Sequence, residues 1–329
     1  MPSFLFTAPL PGPAVQMLQE VGEVEVARGL SPEQLKIAAH SGRYDVLITQ
    51  LSDQVNADVL KGSTLKGIAN FGVGFNNIDV ATATSNGIFV GNTPDVLSDA
   101  TANIAMLLLL GAARRAHEGE QMVRSGQFQG LTPDLLLSAD ITGTRLGIAG
   151  FGRIGKAMAR RALGFGMEVV FVQRPPRDRP VHDDELGDIA GKATQVSWDE
   201  LLETSDHISL HVPLTPDTTH LIGARELARM KPTAVLVNTA RGPVIDEKAL
   251  VEALRHGTIE AAGLDVYENE PALADGLAQL PNTFLLPHIG SAERATRARM
   301  GKMCAQNAMA MARGELPPYP VNPDVAKAD

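Results

Sequence analysis

Apolar residues along this chain fall into short runs that alternate with stretches of helical period. In the first hundred residues, Phe4 to Thr7, Val24 to Ala27, Asp45 to Thr49, Gly67 to Asn70 and Gly87 to Val90 read as strands. Ala14 to Glu20 reads as a helix. Ser31-Pro32-Glu33-Gln34 places an N-cap Ser, a Pro at the first helical position and a Gln at the third, so a second helix starts there and ends near His40. These elements predict a small α/β domain. A long helical run, Ala100 to Ser125, leads into Gly126 to Gly143, a segment punctuated by Gly and Pro.

Strand-like runs then recur at Leu146 to Ala149, Glu168 to Val172, His207 to His211, Ala234 to Val237, Ile259 to Asp265 and Thr283 to Leu286. Between them lie the helical pattern Ile154, Ala157, Met158, Arg161, Ala162 and the helix Asp246 to His256, closed by Gly257. Parallel strands joined by helices are the expected outcome. The last helical pattern, Ala292 to Arg313, follows the completed second sheet and is expected to return to the first domain. Residues 100–290 then form an insertion in a domain made of 1–99 and 291–329. Four prolines, Pro317, Pro318, Pro320 and Pro323, predict an irregular tail from Pro317 to Asp329.

Composition narrows the partners. The 329 residues are enough for two domains of ordinary size, and the 44% hydrophobic content is that of a globular protein. A net charge of −9 repels nucleic acid and anionic membranes, so neither is an expected partner. The single cysteine, Cys304, excludes an internal disulfide framework and fits a reducing compartment, with the cytoplasm as the expectation. Met1-Pro2-Ser3-Phe4 lacks the basic start of a secretory leader, and the longest apolar stretch, Ile104 to Ala113, is too short to span a bilayer. No metal is expected.

The first chemistry appears at Gly147-Ile148-Ala149-Gly150-Phe151-Gly152-Arg153-Ile154-Gly155. A strand runs into G-x-G-x-x-G and then a helix, with a second strand after Gly166, which is the βαβ setting a dinucleotide requires. The glycines allow a tight turn and close approach to phosphates, and the helix N-terminus offers free amides to the pyrophosphate. Gly150, Phe151, Gly152, Arg153, Ile154 and Gly155 are therefore candidate cofactor residues. An NAD site places an acid about twenty residues on for the ribose hydroxyls. Here Gln173 stands after the next strand with Arg174 and Arg177 beside it, which favours NADP(H) while leaving NAD(H) admissible.

Three polar residues each follow a strand of the second domain, where ligands of open α/β sheets sit. They are Arg241 in Asn238-Thr239-Ala240-Arg241-Gly242, Glu270 in Tyr267-Glu268-Asn269-Glu270-Pro271, and His288 in Leu286-Pro287-His288-Ile289-Gly290. Taken with the glycine motif, they resemble the D-2-hydroxyacid dehydrogenase family along nearly the whole chain. Phe71-Gly72-Val73-Gly74-Phe75-Asn76-Asn77-Ile78-Asp79-Val80 is similar to the family's substrate loop, and Asn92-Thr93-Pro94-Asp95 to its crossing into the cofactor domain. His211-Val212-Pro213-Leu214-Thr215 and Met230-Lys231-Pro232 also fit. The Gln-Arg-Pro-Pro-Arg segment makes the chain most similar to NADPH-dependent glyoxylate and hydroxypyruvate reductases.

The resemblance implies two Rossmann-like or flavodoxin-like parallel-sheet domains of class α/β, the cofactor domain being inserted in a discontinuous substrate domain. It implies His288 as proton donor, Glu270 as partner of the other imidazole nitrogen, and Arg241 as the cation on carboxylate and carbonyl oxygens, roles that reduction of a 2-keto acid requires. Val73 and Gly74 would bind the carboxylate through their amides. Asp265 would accept from the nicotinamide carboxamide, His211, Val212 and Pro213 would line the cofactor crevice, and Thr239, Ala240 and Gly290 complete the expected contacts. The arm from Gly126 to Gly143, with Leu131, Leu135, Leu136 and Leu137, implies a homodimer. Asn76 stands where an Asp is frequent, and Leu131 where several relatives place a Trp near the substrate pocket. Two alternatives stay open: the same chemistry on a bulkier 2-keto acid, and a dinucleotide-sensing protein like the family's corepressor relatives.

Overall fold

The computed structural model describes residues 1–176 and 178–327, which leaves Arg177 outside the described residues. The chain divides into two compact units, Met1–Leu97 together with the segment from Ser291, and Ser98–Gly290. In the first unit, β1 (Ser3–Phe6), α1 (Ala14–Gln19), β2 (Glu23–Val26), α2 (Pro32–His40), β3 (Val46–Gln50), α3 (Ala57–Leu60), β4 (Gly67–Phe71), α4 (Val80–Ser85) and β5 (Phe89–Gly91) alternate along the chain. The strands are all parallel, in the order β2-β1-β3-β4-β5. Pleating sends Phe4 and Phe6 into one buried cluster and Leu5 into another, so both faces of the sheet are covered. The cap foreseen at α2 is present: Gln34 N donates to Ser31 Oγ at 3.2 Å and Ser31 N to Gln34 Oε1 at 2.9 Å.

The second unit holds α5 (Ser98–Ala113), α6 (Ala116–Arg124), β6 (Arg145–Ala149), α7 (Arg153–Gly164), β7 (Glu168–Val172), α8 (Asp183–Leu186), β8 (Ala193–Gln195), α9 (Trp198–Thr204), β9 (His207–Leu210), α10 (Ala224–Leu227), β10 (Val235–Asn238), α11 (Glu247–Arg255), β11 (Ala261–Leu264) and β12 (Thr283–Leu285). Its seven strands are parallel in the order β12-β11-β10-β9-β6-β7-β8. The chain proceeds outward from β6 to β8 and then returns to β9 on the other side of β6. That reversal splays the connections apart at the C-terminal edge of β6 and β9, where such sheets bind ligands. α12 (Arg294–Ala312) then packs its Cys304, Ala305, Ala308 and Met311 into a cluster of the first unit.

Some elements differ from the pattern reading. The long helix expected over Ala100 to Ser125 is broken, because Arg115 takes a left-handed φ of 50° and ends α5. Its guanidinium binds Glu118 at 2.9 and 2.7 Å and the Leu137 carbonyl at 3.3 Å, contacts that hold the break in place. The tail is more ordered than its prolines suggest. Asn322 accepts from Val90 N at 2.7 Å and donates to Ile88 O at 2.9 Å, so the tail is pinned to β5, and a 3-10 turn follows at Pro323–Lys327. Among the described residues no helix is long and apolar enough to cross a membrane.

Candidate active site

The glycine turn between β6 and α7 is shaped by what it touches. Gly150 has φ +92°, and a Cβ there would stand 2.7 Å from the His211 carbonyl group. A Cβ on Gly155 would stand 2.3 Å from Gly150 O, so the helix can pack this tightly only on a glycine. Gly152, by contrast, faces open space, and as N-cap of α7 it has no side chain to bind the first helical amides. Amides that the N-cap residue cannot bind, at the positive end of a helix and beside open space, fit a pyrophosphate. Phe151 is placed differently from its neighbours. Its side chain is buried and stacked on Phe171 with centroids 3.8 Å apart, so only its backbone is left for a ligand.

After β7, Gln173 is half-buried and Arg174 exposed. Among the described residues the buried Gln173 Oε1 has no hydrogen-bond partner, an orphaned acceptor at the place where a ribose would be read. Asp178 is an acid close by that the motif reading passed over. Its Oδ1 accepts from Gln173 N at 2.8 Å and Arg174 N at 3.1 Å, and its Oδ2 from Gln195 Nε2 at 2.5 Å. That carboxylate closes its own loop with Oδ1 and ties it to β8 with Oδ2.

Arg241, Glu270 and His288 emerge from the C-terminal ends of β10, β11 and β12, which are neighbours in the sheet. Asn238, the last residue of β10, fixes the first turn: Ala240 N donates to its Oδ1 at 2.9 Å, and its Nδ2 donates to Arg241 O at 3.0 Å. Arg241 Nη1 donates to Ala240 O at 2.7 Å. Burial lowers this guanidinium from its ordinary value and the Glu270 charge opposes the shift, so it stays a cation near neutral pH. Gly242 lies flat against the next loop, where an added Cβ would stand 1.8 Å from the Tyr267 carbonyl carbon and oxygen.

His288 sits 2.8 Å from Glu270, Nδ1 to Oε2, while Glu270 Oε1 accepts from Tyr267 N at 3.0 Å. A carboxylate only accepts, so Nδ1 carries the hydrogen and Nε2 is the ring atom left for a reacting group. Burial pushes the Glu270 carboxyl up, but the His288 and Tyr267 bonds together with the Arg241 charge outweigh it and hold it below the usual range. His288 adopts a left-handed φ of 55°, unfavourable for a non-glycine residue. Asp265 stabilises that turn by accepting the two following amides, Ile289 N and Gly290 N, each at 2.7 Å. Burial nonetheless raises its carboxyl. Each oxygen keeps a lone pair for a further donor.

The remaining candidates of this unit lie along the same edge. His211 Nε2 is 2.9 Å from Ser209 Oγ, and desolvation pushes the imidazole down to about 3, so it is neutral. Thr239 Oγ1 lies 3.5 Å from His211 Nδ1. Val212 and Ala240 are buried in the core, Pro213 is exposed, and Leu131 of the arm is 88% exposed.

Val73 and Gly74 belong to the first unit, in the loop after β4. Three successive carbonyls there are gripped: Gly72 O by Thr93 N at 2.9 Å, Val73 O by Asn92 Nδ2 at 2.8 Å, and Gly74 O by Asn70 Nδ2 at 2.9 Å. A trans peptide points its N–H opposite to its C=O, so the amides of Val73, Gly74 and Phe75 are aimed away from those partners. Asn70, Asn92 and Asn238 were missed as functional positions. A signal existed for Asn70 and Asn238, since each is a buried Asn in a β-strand that is otherwise mostly apolar.

The chain that carries this turn and these residues is similar to known proteins along nearly its whole length. Residues 106–290 match the sequence model described as D-isomer specific 2-hydroxyacid dehydrogenase, NAD binding domain. The chain is 43% identical over 330 residues to a glyoxylate reductase of Thermococcus litoralis, covering 98% of each chain. Among solved structures, a glyoxylate reductase from Paecilomyes thermophila superposes with a TM-score of 0.85 at 35% identity, covering 97% of this chain and 98% of that one. An NADPH-dependent glyoxylate/hydroxypyruvate reductase from Sinorhizobium meliloti, in complex with NADP and malonate, superposes with a TM-score of 0.84 at 32% identity, covering 98% of this chain and 97% of that one. Glycine turn, parallel sheets and near-complete alignment agree: the chain belongs to the D-isomer specific 2-hydroxyacid dehydrogenase family, oxidoreductases that use a nicotinamide dinucleotide.

Proposed function

We propose that this protein reduces small 2-keto acids, glyoxylate and hydroxypyruvate, to the D-2-hydroxy acid, with NADPH as the preferred cofactor and His288 as proton donor. The observation that carries the reading is the 2.8 Å contact between His288 Nδ1 and Glu270 Oε2. It fixes the tautomer and leaves Nε2 to give its proton to the forming alkoxide. Arg241 holds the substrate carboxylate in its planar fork and polarises the keto oxygen. The amides of Val73 and Gly74 give the first unit a carboxylate-binding group of its own. Bound NADPH supplies the hydride. The α7 turn from Gly150 to Gly155 would hold its pyrophosphate, with Thr239, Ala240, His211, Val212 and Pro213 along the same edge, and Asp265 and Gly290 would receive the carboxamide end.

Preference for the phosphorylated cofactor is supported by exposed Arg174 beside Gln173, and by Asp178, whose Oδ1 is taken up by the amides of its own loop and Oδ2 by Gln195 of β8. Arg177 belongs to the same proposed phosphate group on sequence grounds alone. A homodimer is supported by the apolar surface of α6 and the arm, where Val123 is 63%, Phe128 51%, Leu131 88% and Leu137 69% exposed. The single cysteine, buried in the first unit, supports a reducing cytoplasm. The test is a panel of NADPH and NADH against glyoxylate, hydroxypyruvate and bulkier keto acids. NADPH-dependent turnover of the two small acids supports the proposal. Preference for a bulky acid corrects the substrate, and cofactor binding without turnover of any 2-keto acid makes the protein a sensor.

A further inference from the structure

We propose that Glu247 is a positioning residue of the site: its buried carboxylate ties the first and last amides of the Glu268–Ala274 loop and thereby holds Glu270 against His288. The inference rests on the reading of His288 as proton donor. Glu247 is 3% exposed and opens α11 directly after the N-cap Asp246, a few residues beyond Arg241. Its Oε1 accepts from Glu268 N at 2.5 Å and its Oε2 from Ala274 N at 3.0 Å. In return Glu268 Oε2 accepts from Glu247 N at 3.3 Å, while its Oε1 lies 2.7 Å from His220 Nε2.

Burying a carboxylate is costly unless its oxygens are satisfied. Here both oxygens are satisfied by one loop, and Glu270 stands in the middle of that loop. Within the loop itself, Glu270 is held by Tyr267 N and the loop is closed by an isolated bridge between Asn269 and Ala272. The ends are therefore set by Glu247. Two acceptors side by side are needed for two amides. A glutamine turns an NH2 group toward one of them, donor against donor, and leaves a buried N–H without a partner. The side chain touches neither the cofactor turn nor His288, so its effect on the reaction passes through Glu270.

The test compares Glu247→Gln with wild type by steady-state kinetics and by the NMR resonance of the His288 Nδ1 proton, in the wild-type and Glu270→Gln backgrounds. Displacement of Glu270 is expected to lower kcat about ten- to a hundredfold with little change in KM, and to broaden or remove the resonance. In the Glu270→Gln background the same substitution should cost less than about twofold more, because the two residues act in series. Equal losses in both backgrounds overturn the proposal, as does a lowered Tm with kcat and resonance unchanged. Should Glu247→Gln not fold, Glu247→Asp, one methylene short of the second amide, must weaken both kcat and resonance, and unaltered values overturn the proposal. If the wild type reduces no keto acid, the proposed function fails by itself, and the resonance still decides whether Glu247 holds Glu270.

Discussion

Gly242→Ala places the smallest side chain where two loops of the site meet. The built Cβ lies 1.8 Å from the carbonyl carbon and oxygen of Tyr267 and 2.4 Å from Glu268 N, whereas ordinary contact begins at 3.4 Å. Both sides are backbone, so no rotamer relieves the overlap, and the loops must part by about 1.5 Å. Gly242 does not have a left-handed φ, so alanine introduces no conformational strain of its own. The whole effect is separation of Arg241 from the loop that carries Glu270. A misplacement of this order costs about a hundredfold in rate, or roughly 2.7 kcal/mol of transition-state stabilisation. Overpacking costs about 1 to 3 kcal/mol of stability. The assay is kcat/KM for NADPH-dependent glyoxylate reduction, taken well below the variant's Tm, with NADPH affinity as control. A variant with wild-type kcat/KM refutes the argument that contact between these backbones sets the geometry of the site.

Arg174→Ala combined with Arg177→Ala should weaken NADPH about tenfold or more and leave NADH nearly unchanged, since only NADPH carries the extra phosphate; equal losses for both in fluorescence titration would count against a phosphate clamp. Glu270 is held below the usual carboxylate range in the fold, so its stabilisation is fully present above that range and lost as pH falls through the lowered value. The Tm difference between wild type and Glu270→Gln should accordingly close on acidification, and a difference that widens would contradict the pairing with His288. Leu131→Asp with Leu137→Asp should dissociate the proposed dimer, read as halved mass in solution; an unchanged mass would remove the arm from the interface.

Much of the fold was legible because it depends on patterns that leave local marks. Parallel strands buried on both faces read as continuous apolar runs, as Val46 to Thr49 and Val169 to Val172 do, and Ser31 with Gln34 marks the start of α2 by its own hydrogen bonds. Short strands such as Ala193–Gln195 escaped notice, since three residues with one exposed carry no period. The break at Arg115 was hidden for a different reason: a left-handed arginine is selected by Glu118 and the Leu137 carbonyl, the latter remote in sequence. At the site, the glycines, Arg241, Glu270 and His288 stand out because each interrupts the pattern at a strand end. Their supports do not. Asp178 and Glu247 are acids like many others in the chain until folding shows that each binds amides distant in sequence, at Gln195 and Glu268 among others.

The central claim is that His288, held by Glu270, delivers the proton that completes reduction of a 2-keto acid. Its most direct test is His288→Ala, assayed for NADPH-dependent reduction of glyoxylate beside direct titration of NADPH binding. Loss of a positioned acid predicts a fall in kcat of about a hundred- to ten-thousandfold with NADPH affinity unchanged. A variant that reduces glyoxylate at the wild-type rate would contradict the account.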